Sequence, residues 1–357
     1  MKWRRLLVPA ATVVIVVGLY KVAVLLTVTA KVLGFDQPFD WWRGPVLQTS
    51  TSIGSLQADV YTTPRSRTPV LFVHGVNETG KDSHDLKPVA HVLAGSGFRV
   101  VVPNFARLTK QNVTPEDVDD IALAFQSLGR DGGVICASYG CGPALIAASR
   151  PSIRDHVKFV LTFGAYYDLT DTLRFIVTSP YSPLTYSKWL YMAANSDLLA
   201  DEADRREIRA ISEERLRLPS QDWVRLGSGL SRHGQALLSL YESSNGAEFD
   251  QRLRAIPILR NRTEDLSPSR YLEGMRARLI IVHMSSDPSI PCSQSVSLAE
   301  AAKARRIPYS LTILQMHGHT RPETPEVGLG SLFSFYLPQG LQFAAVLREL
   351  LSFAERN

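Results

Sequence analysis

The chain has 357 residues, of which 45% are hydrophobic and 20% are charged, and both values are ordinary for a globular protein. Its formal net charge of +5, without any block of basic residues, gives little support to a nucleic-acid-binding function. Its three cysteines are too few for a disulfide framework and are interpreted as small buried apolar residues. We therefore expect one large α/β domain with an insertion, or two small domains.

Residues 1–34 are predicted to anchor the chain in a membrane. Three basic residues stand among the first five, and residues 6–30 are then apolar except for one lysine and a few threonines. A helix of this length, at 1.5 Å per residue, would span about 37 Å, which is enough to cross a bilayer. The preceding basic residues favour a cytoplasmic N-terminus. A cleaved signal peptide and a secreted protein are the alternative, because residues 6–20 have the length of a signal h-region.

The remainder of the chain divides into a linker, a core and an insertion. Residues 35–54 are assigned to a juxtamembrane linker with interfacial tryptophans, and residues 55–170 to the first part of the core. In that part, apolar β-branched runs alternate with helical patterns, which predicts a mostly parallel sheet covered by helices on both faces. Residues 171–275 show helical stretches and no comparable strand, so we expect a helical insertion there. Residues 276–357 complete the core.

Ser138 stands at the end of an apolar, β-branched run and directly before residues that favour a helix. This pattern predicts a strand, a sharp turn and a helix, with the serine at the apex of the turn. The turn requires small residues two positions before and two positions after the serine, and Cys136 and Gly140 meet this requirement. Glycine is commoner at the earlier position. This chain has Cys136 there, so its motif is C-x-S-x-G. A disulfide between Cys136 and Cys141 would have to cross the tight turn and is not expected.

Candidate partners of Ser138 follow later strands, in the chain order serine, acid, histidine. Asp287 lies in the loop beyond the apolar run at residues 278–283, and His319 closely follows another predicted strand. Ligands of open α/β sheets bind at the carboxyl ends of the strands. The arrangement resembles the α/β-hydrolase family, whose catalytic triad has the same chain order. The resemblance extends roughly from Leu56 to the C-terminus and implies the α/β-hydrolase fold.

The resemblance implies that Ser138 is the nucleophile, that His319 is the general base and that Asp287 orients the histidine. His317 is an alternative base, but the glycine directly before His319 is similar to the histidine loop of the family. Asp168, after an earlier strand, is an alternative acid. Asp287 could also simply cap a helix.

An acyl-transfer reaction needs N–H donors for the oxyanion of its tetrahedral intermediate. The backbone N–H of Tyr139, at a helix N-terminus, is predicted to be one donor. The second is expected in the loop after the first core strand, at Val76 or Asn77, and Val76 is preferred. His74 is interpreted as a residue that shapes this loop. No substrate-binding residue can be named.

The expected function is that of a serine hydrolase that cleaves a carboxylic ester of a small molecule or lipid through an acyl-enzyme, without a cofactor. A metal site at His317 and His319 would lack a third ligand. Peptidase, thioesterase and acyltransferase activities use the same triad and stay open, as does a non-catalytic binding module that kept the scaffold. The insertion is similar to the helical cap that many family members place over the pocket. The expected location is a membrane, with the hydrolase domain outside the cytoplasm.

Overall fold

The computed structural model describes residues 45–179, 184–218, 227–319, 325–326 and 328–354. Within these ranges, no helix combines the length and the apolar character needed to cross a membrane. The predicted membrane segment, residues 6–30, lies outside the described residues.

The described residues form one mixed sheet of eight strands. The strands are β1 Leu47–Ile53, β2 Leu56–Thr62, β3 Thr68–Val73, β4 Phe98–Pro103, β5 Gly132–Ala137, β6 Val157–Phe163, β7 Arg278–Ser286 and β8 Tyr309–His317. Their spatial order is β1-β2-β4-β3-β5-β6-β7-β8. β2 pairs antiparallel with β1 and with β4, whereas the pairs from β4 to β8 are parallel. The predicted mostly parallel sheet is therefore confirmed.

Residues 35–54 were predicted to be a linker. Strand β1 lies within this range and belongs to the sheet, so that part of the prediction is corrected. Six of its seven side chains are exposed, so the strand has no apolar alternation that could reveal it. Its polar side chains instead bond across the hairpin. The Gln48 side chain and the Ser50 hydroxyl donate to the buried Asp59 carboxylate at 3.1 and 2.8 Å.

Helices cover both faces of the sheet. They are α1 Leu86–Gly95, α2 Ala106–Thr109, α3 Pro115–Gln126, α4 Cys141–Ala148, α5 Leu169–Thr178, α6 Leu184–Asn195, α7 Glu202–Arg217, α8 Arg232–Tyr241, α9 Gly246–Arg254, α10 Pro257–Asp265, α11 Ser293–Ala304, α12 Leu329–Ser331 and α13 Leu337–Ala354. Side chains of α1 and α13 share one apolar cluster with the sheet, and those of α3, α4 and α11 share another. In β3, Val70 and Phe72 belong to the first cluster, whereas Leu71 and Val73 belong to the second. This alternation explains why the middle of each central strand is apolar at consecutive positions, as in residues 70–73 of β3.

Helices α5 to α10 form the insertion between β6 and β7, and no strand interrupts them in the described part of this segment. The insertion packs on the turn that carries Ser138. The ring of Tyr191, in α6, lies 4.7 Å from the ring of Tyr139. The insertion therefore covers the side of the turn on which the residue after Ser138 lies.

A disulfide joins Cys136, at the end of β5, to Cys141, at the start of α4. The expectation that the turn excludes this bridge is wrong. The sharp reversal brings the two Cα atoms to 5.0 Å, which is within the range of about 4.4–6.8 Å that disulfides need. The bond ties the strand that enters the turn to the helix that leaves it. Cys292 is a free cysteine.

We expect unreduced, denatured protein to be alkylated by iodoacetamide at one cysteine, Cys292, and reduced protein to be alkylated at three. Intact mass measures both numbers. The Cys141→Ala variant is the control, because it frees Cys136 and should take up two alkyl groups without reduction. Three alkyl groups on the unreduced wild-type chain would contradict the bridge.

Candidate active site

Ser138, His319 and Asp287 form a continuous hydrogen-bonded chain beyond the carboxyl ends of their strands. Ser138 Oγ lies 2.5 Å from His319 Nε2, and His319 Nδ1 lies 2.6 Å from Asp287 Oδ2. Because an ionised carboxylate only accepts hydrogen bonds, the proton of the neutral imidazole is on Nδ1. Nε2 is therefore free to accept the proton of the Ser138 hydroxyl. The structure thus brings together the three side chains that were predicted to meet.

Ser138 has a strained backbone at the apex of the turn between β5 and α4. Its φ of 54° lies in the left-handed region, which costs a non-glycine residue about 1–2 kcal/mol. Two close approaches keep it there. A Cβ on Gly140 would lie 2.1 Å from the His74 carbonyl oxygen, and a Cβ on Gly75 would lie 2.9 Å from the Ser138 Cβ. Side chains at these two positions would push the loop after β3 away from the serine.

The Asp287 carboxylate is buried and receives N–H donors at both oxygens. Its Oδ1 accepts the backbone N–H groups of Ser289 and Ile290 at 2.8 and 2.9 Å, so the carboxylate also caps its own turn. Its Oδ2 faces His319 and, at 3.3 Å, the Nε2 of His283. Burial alone would raise the pKa of Asp287. Hydrogen bonds from the two imidazoles, the charge of the imidazolium and the backbone donor outweigh it and lower this pKa to about 2.

The alternative acid, Asp168, has other partners. It caps helix α5, where its carboxylate accepts the Asp171 N–H at 3.0 Å and the Ser269 hydroxyl at 3.4 Å. The alternative base, His317, ends strand β8, and its side chain is outside the described part of the structure. Among the described residues, no group of three or more His, Cys, Asp or Glu side chains could hold a metal ion.

Buried hydrogen bonds fix the loop after β3. His74 Nε2 accepts the backbone N–H of Phe105 at 3.1 Å, so Nδ1 carries the ring proton and donates to the Gly75 carbonyl at 2.7 Å. The Asn77 side chain donates to the same carbonyl at 3.2 Å. The C=O and N–H of one peptide unit point in opposite directions. The Val76 N–H, which shares that unit, is therefore held pointing away from both donors.

The side chain of Tyr139 connects the serine turn to the acid turn. Its hydroxyl donates to the Ser289 carbonyl at 3.2 Å. Burial raises the pKa of Tyr139 well above its ordinary value, so the hydroxyl keeps its proton. The residue directly after the serine thus holds the backbone two residues beyond Asp287.

A small cavity of about 30 Å³ lies beside Tyr139, between the core and the insertion. Its walls are mainly apolar, with Leu173 and Tyr191 on the insertion side. Ser138 and His319 do not line it. The cavity therefore does not identify the residues that bind a substrate.

Polar side chains close the seam between the core and the insertion next to this cavity. Arg262 donates to Asp197 at 2.9 Å and to the side-chain oxygen of Asn112 at 2.7 Å. Asn112, in the core, also donates to Asp197 at 2.8 Å. The three side chains bond to one another and hold the insertion against the loop that precedes α3.

The fold and the site agree with a comparison against known protein families, in which residues 70–327 match the alpha/beta hydrolase family. The chain belongs to the alpha/beta hydrolase family. No match was found among the curated proteins.

Three solved structures illustrate how this α/β hydrolase relates to others. A puromycin-hydrolysing peptidase from Mycobacterium tuberculosis is 15% identical, with a TM-score of 0.50 over 87% of this chain and 39% of that one. An acylaminoacyl peptidase from Pyrococcus horikoshii is 14% identical, with a TM-score of 0.50 over 85% and 40%. An esterase/lipase from an uncultured bacterium is 15% identical, with a TM-score of 0.45 over 93% and 98%. The chain spans about two fifths of the two peptidase structures, and the likeness to them is one of fold.

Two features of the site were not predicted from the sequence of this α/β hydrolase. His283, the one polar residue in the run from Leu279 to Met284 and four positions before Asp287, contacts the carboxylate. That spacing was the available signal. The hydroxyl of Tyr139 bonds to a backbone carbonyl, which leaves no mark in the sequence.

The buried ring of His74 makes a pH-dependent contribution to stability. Burial lowers its pKa from 6.5 to about 4, so the unfolded chain binds a proton more readily than the folded chain does. This contribution is present above pH 6.5 and is lost as the pH falls towards 4. The free energy of unfolding of the wild type, minus that of His74→Asn, should decrease by about 3 kcal/mol between these pH values. Urea unfolding at a series of pH values measures the difference.

His233→Asn, at an exposed histidine, is the matched control and should show a much smaller change. Curves for wild type and His74→Asn that stay parallel from pH 7 to 4 would show that the His74 ring is not held in its neutral form.

Proposed function

We propose that this protein is a serine hydrolase that cleaves a carboxylic ester through an acyl-enzyme. In this proposal Ser138 is the nucleophile, His319 the general base and Asp287 the orienting acid. The observation that carries the proposal is the hydrogen-bonded chain of these three side chains, with distances of 2.5 and 2.6 Å, at a strained turn. A serine hydroxyl is a weak nucleophile unless an adjacent base accepts its proton, and this geometry supplies that base.

In the first step, Ser138 Oγ attacks the ester carbonyl carbon while its proton moves to His319 Nε2. The Asp287 carboxylate stabilises the imidazolium through its bond to Nδ1. The backbone N–H groups of Val76 and Tyr139 are proposed to bind the oxyanion. His319 then gives its proton to the leaving alcohol, and the acyl group stays on Ser138. Water, deprotonated by the same imidazole, releases the acid and restores the serine.

An ester is preferred over an amide as the substrate because its alcohol leaves more readily than an amine. Aminoacyl amides are the competing substrates, and two solved structures of similar fold are named as peptidases. Thioester hydrolysis and acyl transfer need the same three residues. The alternative to an enzyme is a binding module that kept the fold but does not catalyse a reaction.

A fluorophosphonate probe should label the wild type, and Ser138→Ala should remain unlabelled because it lacks the attacking oxygen. Alanine at Ser138, His319 or Asp287 should lower kcat for p-nitrophenyl acetate by about 10⁴–10⁶-fold, and the losses should not add because the residues act together. A matched thioester and an aminoacyl p-nitroanilide, assayed with the same enzyme, measure the preference for esters.

Asp168→Ala is the matched control, since Asp168 caps α5 and should leave kcat nearly unchanged. An inactive Asp168→Ala beside an active Asp287→Ala would reject the assigned acid. Folded wild-type protein that is not labelled by the probe would favour the binding module. A faster reaction with the anilide than with the ester would change the proposed activity from esterase to peptidase.

We also propose that residues 1–34 anchor the protein in a membrane, with the hydrolase domain outside the cytoplasm. The basic residues before the apolar segment support this orientation. The disulfide between Cys136 and Cys141 also supports it, because disulfides persist mainly in oxidising compartments. Cleavage of the segment would give a secreted protein instead.

A cysteine introduced at Gln37, in a Cys292→Ser background, should react with an impermeant maleimide on intact cells if the proposed orientation is correct. A cysteine at Lys2 is the control and should react only after lysis. Labelling of Gln37→Cys only after lysis would reject the orientation. The mass of the mature chain distinguishes an anchor from a cleaved signal.

A further inference from the structure

His283 is fully buried in β7 and contacts three groups around the acid turn. Its Nδ1 lies 2.7 Å from the Ser295 hydroxyl, in α11. Its Nε2 lies 2.9 Å from the Ile290 carbonyl oxygen and 3.3 Å from Asp287 Oδ2. The ring therefore connects strand β7, helix α11 and the turn that holds the carboxylate.

The partners of Nε2 determine what this nitrogen does. A carbonyl oxygen and a carboxylate oxygen can only accept, so Nε2 must carry a hydrogen. That hydrogen bonds to the Ile290 carbonyl oxygen at 2.9 Å, and Asp287 Oδ2 lies 3.3 Å from the same nitrogen. The Ser295 hydroxyl bonds to the opposite nitrogen and fixes the plane of the ring.

The donor from His283 completes the fixation of the acid turn. The backbone N–H groups of Ser289 and Ile290 hold Oδ1 of Asp287, but they leave Oδ2 free to rotate out of line with His319. The contact with His283 restrains Oδ2. The bond from the same nitrogen to the Ile290 carbonyl restrains the end of the turn that lies beyond Asp287. Only one side of Oδ2 is then left for the catalytic histidine.

We propose that His283 is a positioning residue that holds the Asp287 carboxylate in line with His319. The inference rests on the proposed triad, because His283 touches neither Ser138 nor the base and can act only through Asp287. A role in packing alone would affect stability but would not depend on the presence of the carboxylate.

The test is a double-mutant cycle with His283→Phe and Asp287→Ala, read as the rate at which a fluorophosphonate labels Ser138. Phenylalanine keeps the ring and removes the donor, so labelling should slow by about 10- to 100-fold, as expected for a misplaced catalytic group. In the Asp287→Ala background, the same change should slow labelling by less than about twofold, because there is no carboxylate left to position. For p-nitrophenyl acetate, kcat should fall with little change in KM.

His283→Gln is the conservative variant, since its amide N–H can reach a position close to that of Nε2, and it should restore most of the labelling rate. Thermal unfolding shows whether each variant is folded. If His283→Phe does not fold, Ser295→Ala takes its place. It removes the partner of Nδ1 and should slow labelling by about three- to tenfold in the presence of Asp287 only.

Two results would overturn the assignment of His283 alone: an equal slowing in both backgrounds, or a glutamine variant as slow as the phenylalanine variant. A labelling rate in Asp287→Ala equal to that of the wild type would instead overturn the proposed triad, and the role of His283 with it.

Discussion

The left-handed backbone of Ser138 is the constraint on which the rest of the site depends. A serine costs free energy in this conformation, so the surrounding structure must hold it. Backbone packing does so from one side, where Gly75 and Gly140 allow the loop after β3 to lie against the turn. The disulfide and the buried helix α4 fix the chain on the other side. The hydroxyl is thereby presented at the sheet edge, within reach of His319.

The other two members of the relay come from loops, and loops are usually the mobile parts of a fold. In this protein the backbone of the acid turn is tied to two buried side chains. The hydroxyl of Tyr139 bonds to the Ser289 carbonyl of the acid turn. His283, in strand β7, bonds to the Ile290 carbonyl of the same turn. The bond from His283 lies away from water, so it is stronger and more costly to break than a surface bond of the same length. The serine turn and the acid turn therefore behave as one unit.

Much of this arrangement could be predicted from the sequence, because the strands, the serine turn and the reactive side chains each correspond to a recognisable run of residues. The apolar runs predict the parallel strands, and Ser138, Asp287 and His319 each follow one of them. Strand β1 could not be predicted, since its polar side chains pair only with the neighbouring strand.

The remaining features depend on distances in space, which the sequence does not contain. Five positions of separation do not reveal that Cys136 and Cys141 have Cα atoms 5.0 Å apart. The direction of the Val76 N–H depends on which groups bind the Gly75 carbonyl. A single histidine in an apolar strand fits a packed core as well as it fits a functional contact.

His74 and His283 solve the same physical problem at two places along the sheet edge. Each ring is buried beneath a loop, bonds through one nitrogen to a group of a different element, and donates from the other nitrogen to a loop carbonyl. A lysine or arginine would donate as well but would bring an ionic charge into the interior, which is expensive without a partner. An imidazole can bridge two groups without that charge. Both loops are therefore held in place by a buried histidine ring. Each ring donates to a loop carbonyl that would otherwise bind water.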